Sequence, residues 1–296
     1  MIWEPRLTLT WTGTDGSIWD LIGGPVRATI AGIRGLAMPD IDYQNQETPL
    51  IHGQTTESWR MPARTVFLPL RFVTADVVGT QRLFWQSVTP GKTGTLTVGD
   101  GFGGIRTLGL KFKDDGGIAY RIDPHIISSA FGLTMEADSP AWLGNEVALV
   151  LAVPEQARNA FGTAADSPVL YLSPARFETP EAPLANPGNM PAWPTWEVRA
   201  TDPAGLTAFE LYAGADLISG ILTIPYLHTV TIFTDPTGQY ALMTGPSITG
   251  AVDVTDSLID VNFAQIDAGE LSQISTTFTG LGLATIRLTP QYFRAF

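Results

Sequence analysis

Short runs of alternating apolar residues, cut apart by Gly, Asp and Pro, recur along most of this chain, and that rhythm limits the backbone it can form. A period of two sends successive side chains to opposite faces of a strand, whereas a helix needs apolar residues three and four apart. In the first half the runs are "RLTLTW" (Arg6–Trp11), "TVFLPLRFV" (Thr65–Val73), "GTLTVG" (Gly94–Gly99), "RTLGLKF" (Arg106–Phe112) and "EVALVLAV" (Glu146–Val153). They are separated by "GTDG" at Gly13–Gly16, "GDGFGG" at Gly99–Gly104 and "DDGG" at Asp114–Gly117. Gly and Asp accept the positive φ of tight hairpin turns. One stretch breaks the rhythm: in "TADVVGTQRLFWQSV" Thr74 or Asp76 can cap a helix, and Val77, Leu83, Phe84 and Val88 recur at helical spacing. "PGK" at Pro90–Lys92 ends it.

From Val153 to Pro191 the composition turns to Pro, Ala and Ser, with a short "VLYL" strand as its sole periodic element. Such a stretch marks a boundary between folding units. The division expected is a first domain over residues 1–157, a linker over 158–185 and a second domain over 186–296. The second domain opens on "NPGNMPAWPTWEV", in which Pro187, Pro191 and Pro194 cannot donate to a sheet ladder and so mark the edge of its first strand. Trp196 and Val198 then share one face, with Glu197 and Arg199 on the other. Further runs follow ("LTAFELYA", "GILTIPY", "HTVTIFT", "QYALMTG", "SLIDVNFAQI", "LSQISTTFTG", "LATIRLTPQYFRAF"). A series of this kind predicts a β-sandwich or jelly roll.

With 296 residues there is enough chain for two such domains. Charged residues make up only 16%, so much of the surface must be neutral or covered by a partner. Cysteine is absent, which removes disulfides and thiolate metal sites. Residues 1–158 carry 13 Lys+Arg against 16 Asp+Glu, whereas residues 159–296 carry 4 against 13. The acidic, Lys-free second half repels phosphate, which argues against affinity for nucleic acid but fits a surface that DNA passes without sticking. No apolar run reaches transmembrane length, and the N-terminus has no signal-peptide core.

Reactive constellations are scarce. His52, His125 and His228 are far apart in sequence with no metal-ligand spacing. Asp253, Asp256 and Asp260 in "DVTDSLID", and Asp267 with Glu270 in "DAGE", could pair as glycosidase carboxylates, but their setting is that of solvated turn formers. The expectation is a protein that is not an enzyme and takes no cofactor or metal. Trp193, between two prolines, and Trp196 are candidates for stacking on sugar rings, which keeps open an alternative as a carbohydrate-binding sandwich for host-surface adhesion.

The order of these segments resembles the distal tail protein, a minor tail protein of bacteriophages with long, non-contractile tails. "IAGIRGLAMPDIDYQNQETPLIHGQTTESWRMPARTVFLPLRFV" is similar to that family's opening, and the helix, "PGKTGTLTV" and "RTLGLKF" follow in its order. "NPGNMPAWPTWEVRA", "GILTIPYLHTVTIFTDPTGQ", "FAQIDAGELSQISTTFTG" and "QYFRAF" resemble segments of its galectin-like sandwich. Ile224–Pro225 stands where the family often has Asp.

The resemblance implies a mainly β protein: a tail-tube-like β-sandwich or barrel with one helix, then a galectin-like sandwich of jelly-roll type. It further implies a structural virion protein that forms a hexameric ring at the distal end of the tail tube, assembled in the host cytoplasm. Its partners would be copies of itself, the tail tube protein, a hub or spike protein carrying receptor-binding components, and the tape-measure protein. DNA would pass through the channel without specific binding, and no membrane would be involved. Asp40, Asp42 and Glu47 are the channel-facing candidates.

Overall fold

The computed structural model describes residues 7–46, 52–115, 130–152 and 176–296. His125, Glu47 and the "VLYL" segment lie outside the described residues. The chain folds into two compact units, one of residues 1–145 with 291–296 and one of residues 146–290. No helix among the described residues is long and apolar enough to cross a membrane.

The first unit is built on β1 (Thr8–Thr12), β2 (Ile18–Asp20), β3 (Val26–Ala28), β4 (Asp42–Gln46), β5 (Thr55–Arg60), β6 (Arg64–Phe72), β7 (Thr93–Gly99), β8 (Ile105–Asp114), β9 (Ala130–Ala137) and β10 (Trp142–Leu143). Its main sheet runs β2-β1-β7-β8-β9-β6-β3, antiparallel throughout. The backbone N–H of Ala28 in β3 donates to Leu21 O, just past β2, at 2.7 Å, so the two ends of the sheet meet and it nearly closes into a barrel. Closure removes the free edges that would otherwise recruit another chain.

The alternation predicted from sequence sets what fills this barrel. In β6, Arg64, Val66, Leu68, Leu70 and Phe72 are buried while Thr65 and Arg71 are exposed. Leu96 and Val98 from β7, Leu108 and Leu110 from β8, and Phe131, Leu133 and Met135 from β9 join them. The helix α1 (Val77–Gln86) packs on this core through Val77 and Phe84. Phe84 meets Trp19, Phe72 and Phe131 edge-on with ring centroids 5.4–6.1 Å apart, a geometry aromatic quadrupoles favour. Asp76 is the N-cap and accepts from Gly79 N at 2.8 Å. Leu83, expected on the apolar stripe, is exposed: six residues after Val77, it lies about 120° round the helix from the face that buries Val77 and Phe84.

The second unit contains β11 (Val147–Ala152), β12 (Arg176–Glu178), β13 (Ala182–Ala185), β14 (Thr195–Ala200), β15 (Leu206–Ala213), β16 (Asp216–Ile224), β17 (Thr229–Phe233), β18 (Tyr240–Thr244), β19 (Val252–Asp253), β20 (Leu258–Val261), β21 (Leu271–Gly280) and β22 (Gly282–Leu288). These form two sheets, β11-β22-β14-β17-β18-β19 and β12-β21-β15-β16-β20, with β13 also on β21. Trp196, Val198, Val230, Ile232, Ala284 and Ile286 from the first sheet share one core with Phe209, Leu211, Ile218, Ile274 and Phe278 from the second. Among the described residues the structure is mainly β with one α-helix, the class read from the sequence.

Two segments sit differently from the composition-based division. "EVALVLAV", placed in the first domain, forms β11, which pairs along its length with β22 of the second unit. The last residues, placed in the second domain, return to the first: Pro290 interrupts the ladder, and Trp142↔Tyr292 and Leu143↔Gln291 pair beyond it. A Pro-rich stretch shows where periodicity stops, but strand pairing decides membership.

Candidate interaction surfaces

The strands β4 and β5 pair only with each other, and every residue in them is exposed. An isolated two-stranded ribbon is marginal in water, so side-chain pairs must help to hold it. Arg60 Nε donates to Asp42 Oδ2 at 3.3 Å and Ser58 Oγ to Gln44 Oε1 at 2.7 Å on one face. The register sets Tyr43 opposite Trp59 on the other. These two aromatics are 58% and 52% exposed. Beyond a bulge after Gln44, Thr56 Oγ1 donates to Asn45 Oδ1 at 2.9 Å. The ribbon is therefore two-faced, polar on one side and aromatic on the other.

Of the channel candidates, Asp42 lies on the polar face with its charge compensated by Arg60. Asp40 is exposed in the loop before β4. The sequence signal for Tyr43 and Trp59 is weak: two aromatics lie far apart in a polar stretch, and only the pairing of β4 with β5 brings them together.

Arg64 anchors the base of this region. It is 4% exposed, and its guanidinium donates to four backbone carbonyls: Pro140 O at 2.6 Å, Gly35 O at 2.9 Å, Ala37 O at 2.7 Å and Phe293 O at 2.7 Å. Burial lowers its pKa, with Asp40 opposing the shift. Its planar fork suits this role, since a lysine ammonium offers only three donors.

In the second unit, Trp196 is 1% exposed in the sandwich core, so its ring has no free face for a sugar and that candidate is withdrawn. Trp193 is half-buried in the loop before β14. The stretch that leads into it is shaped by Asn186, which is buried, donates to Met190 O at 3.0 Å and Ile266 O at 2.9 Å, and accepts from Gly188 N at 2.9 Å. His228 is buried between Tyr226 O and Ser247 Oγ, at 3.0 and 2.7 Å, as a packed structural group. His52 is exposed. Asp253 accepts from Thr255 N and Oγ1, Asp260 from Ser219 Oγ, and Asp267 N–H donates to Glu270. These carboxylates stabilise turns and strand ends. No group of three or more His, Asp or Glu able to hold a metal occurs among the described residues.

The architecture matches solved structures closely enough to place it. The Dit protein of phage SPP1, described as a paradigm of the hub adsorption apparatus in phages infecting Gram-positive bacteria, superposes with a TM-score of 0.62 at 13% identity, over 97% of this chain and 99% of that one. The chain has a Dit-like fold. A chain of the phage P2 baseplate in its activated conformation with Ca matches at 0.55 and 12% identity, over 96% and 98% of the two chains. The same baseplate with Sr gives 0.53. No family model matches the sequence, and no curated protein matches it either. At 12–13% identity the likeness is one of fold.

Proposed function

We propose that this chain is a structural virion protein, a phage tail hub that forms a hexameric ring at the distal end of the tail tube. It joins the tube to the tail tip or baseplate and leaves a channel for DNA. The observation that carries this reading is the Dit-like fold over nearly the whole of both chains, through both folded units. The first unit builds the ring and the galectin-like second unit braces it or carries host-binding components. The tail tube protein, a hub or spike protein and the tape-measure protein are its neighbours in the virion, to which it is added in the host cytoplasm. The protein is not an enzyme.

The ribbon of β4 and β5 supports assembly. A partner on its aromatic face would bury Tyr43 and Trp59, the residue types enriched where interfaces bind most strongly. The opposite face, with Asp42, Gln44, Ser58 and Arg60, suits a wet lumen. Strand β11, which carries no charge and holds Val150 exposed, lies at a sheet edge among the described residues and also favours assembly.

Sedimentation at micromolar concentration and negative-stain electron microscopy test the reading. A ring with a central hole is expected, and the double variant Tyr43→Ala, Trp59→Ala should shift it toward monomer. A monomer at every concentration, with no ring in the particle, sinks the proposal.

A further inference from the structure

One face of the first unit gathers arginines. Strand β3 pairs with β6 so that Arg27 lies directly opposite Arg71, and like charges in that position repel. Arg34 joins the same face through its bridge to Phe67, because Phe67 and Arg71 both point away from the buried Val66, Leu68 and Leu70. Arg27 turns its guanidinium back onto Gly23 O and Gly24 O, at 3.2 and 2.9 Å. Arg34 and Arg71 are exposed, and neither has an ion pair or a side-chain hydrogen bond among the described residues. The carboxylates at the margins are engaged elsewhere. Glu136, which β9 brings to this face, is held by Lys113 at 2.9 Å. Asp20, on the turn before β3, accepts from the backbone N–H groups of Ile22 and Gly23. Ile30, between Arg27 and Arg34 in the chain, and Val73, two residues beyond Arg71, add exposed apolar surface.

The second unit offers the complement. No lysine or arginine lies between Arg199 and Arg287, a stretch that carries nine carboxylates. Within it, β19, the 3-10 turn Thr255–Ser257 and β20 form the terminal strands of the two sheets and the link between them. Along that edge Val252, Ile259 and Val261 are exposed together with Asp253, Asp256 and Asp260. Two of these carboxylates are fixed by local hydrogen bonds. Asp253 accepts from Thr255 N and Oγ1, at 2.9 and 2.6 Å, and Asp260 accepts from Ser219 Oγ at 2.8 Å. Charges beside apolar side chains match the arginine face in composition and oppose it in sign.

We propose that the arginine face of the first unit in one copy docks on the β19–β20 edge of the second unit in a neighbouring copy. The contact joins two different surfaces, so each copy gives one and receives one, the heterologous arrangement that closes into a ring when its rotation allows. It deepens the hub reading and rests on it. The occupant is a second copy because the chain itself holds the surface of matching chemistry. A nucleic acid would also satisfy the arginines, but it would leave Ile30 and Val73 in water, and the carboxylates of the second unit repel it.

Charge reversal in the full chain tests the contact, read by sedimentation velocity over a concentration series. One variant carries Arg34→Glu with Arg71→Glu, and a second carries Asp256→Arg with Asp260→Arg. Each alone should weaken self-association about tenfold or more, because like charges then meet across the contact. Mixed in equal amounts, the two should associate as the wild type does, since native surfaces meet native ones and reversed surfaces meet reversed ones. That recovery also shows that both variants fold. Fluorescence anisotropy with a duplex oligonucleotide, on the wild type and the arginine variant, probes the competing occupant. If the wild type assembles but neither reversal changes its association, or if mixing restores nothing, the contact is overturned and the hub reading stands. If the wild type binds the duplex and the arginine variant loses that binding while assembling normally, the face is a phosphate surface and the proposal falls. A wild type that stays monomeric removes the contact and the hub reading together.

Discussion

Replacing Arg64 by Met keeps the length of the side chain but removes every donor that now serves Pro140 O, Gly35 O, Ala37 O and Phe293 O. Hydrogen bonds to a charged group contribute about 1.5–3 kcal/mol each. Four would sum to about 6–12 kcal/mol, but the carbonyls are only partly buried and water can reach some of them, so the terms do not add. A loss of about 3–5 kcal/mol is the expected outcome, as for other buried charged networks that lose a partner. It should not be spread evenly. The C-terminal residues are tied to the first unit by Arg64, by Arg106 Nη1 donating to Arg294 O at 2.7 Å, and by Ala295 N–H donating to Leu36 O at 2.9 Å. Losing the first of these should release that segment first. Hydrogen exchange read by mass spectrometry separates the two units, which a single denaturation curve would merge. Protection should fall in residues 291–296 and in β6, while β14 and β22 keep theirs. Arg64→Lys should recover less than half of the loss, because three donors on a compact ammonium cannot span four carbonyls. If Arg64→Met stays within about 1 kcal/mol of wild type, or lysine restores full protection, Arg64 is not the anchor described here.

Trp196→Ala should cost the second unit about 3–5 kcal/mol by opening a core cavity, seen as a lower denaturation midpoint; a change of a few tenths would mean that the core closes over the gap. A β-carbon on Gly94 would lie 2.4 Å from the buried Trp11 indole, so Gly94→Val should destabilise the first unit by about 1–3 kcal/mol, and an unchanged melting temperature would contradict that packing. Hydrogen bonds from Ser17 Oγ and N–H hold the Asp15 pKa below its ordinary value. Its contribution to the β1–β2 turn is therefore complete at neutral pH and is lost as pH falls through the depressed folded value. The Ser17 amide resonance should titrate with a midpoint below the usual aspartate range, and a midpoint at or above that range would refute the linkage.

How far the residues disclosed the fold can be argued element by element. The strands β6, β7, β8, β14, β15 and β21 were legible because each has one buried face, and a period of two writes that face into the sequence. The helix was legible from Asp76 and the spacing of Val77 and Phe84. Strand β9 has the same alternation, with Phe131, Leu133 and Met135 buried on one face, and is not among the runs singled out in the sequence. Strands β4 and β5 bury nothing and leave no periodic trace. Among the site candidates, the aromatic count drew attention to Trp196, yet the same alternation that made its strand recognisable also points its ring into the core. The acidic, Lys-free second half was plain in the composition, but Arg27 and Arg71 reach one face from distant parts of the chain.

The sequence by itself determined the local conformations: which runs extend, where Gly and Asp turn the chain, where Pro stops a ladder, and which side of each strand is apolar. Those are short-range consequences of sterics and of side-chain period. The tertiary structure decided the pairings. It set β11 beside β22, returned Gln291–Tyr292 to the first unit, aligned Tyr43 with Trp59, and placed Arg27 opposite Arg71. Each of those depends on hydrogen bonds between segments far apart in the chain, which no local pattern of residues encodes.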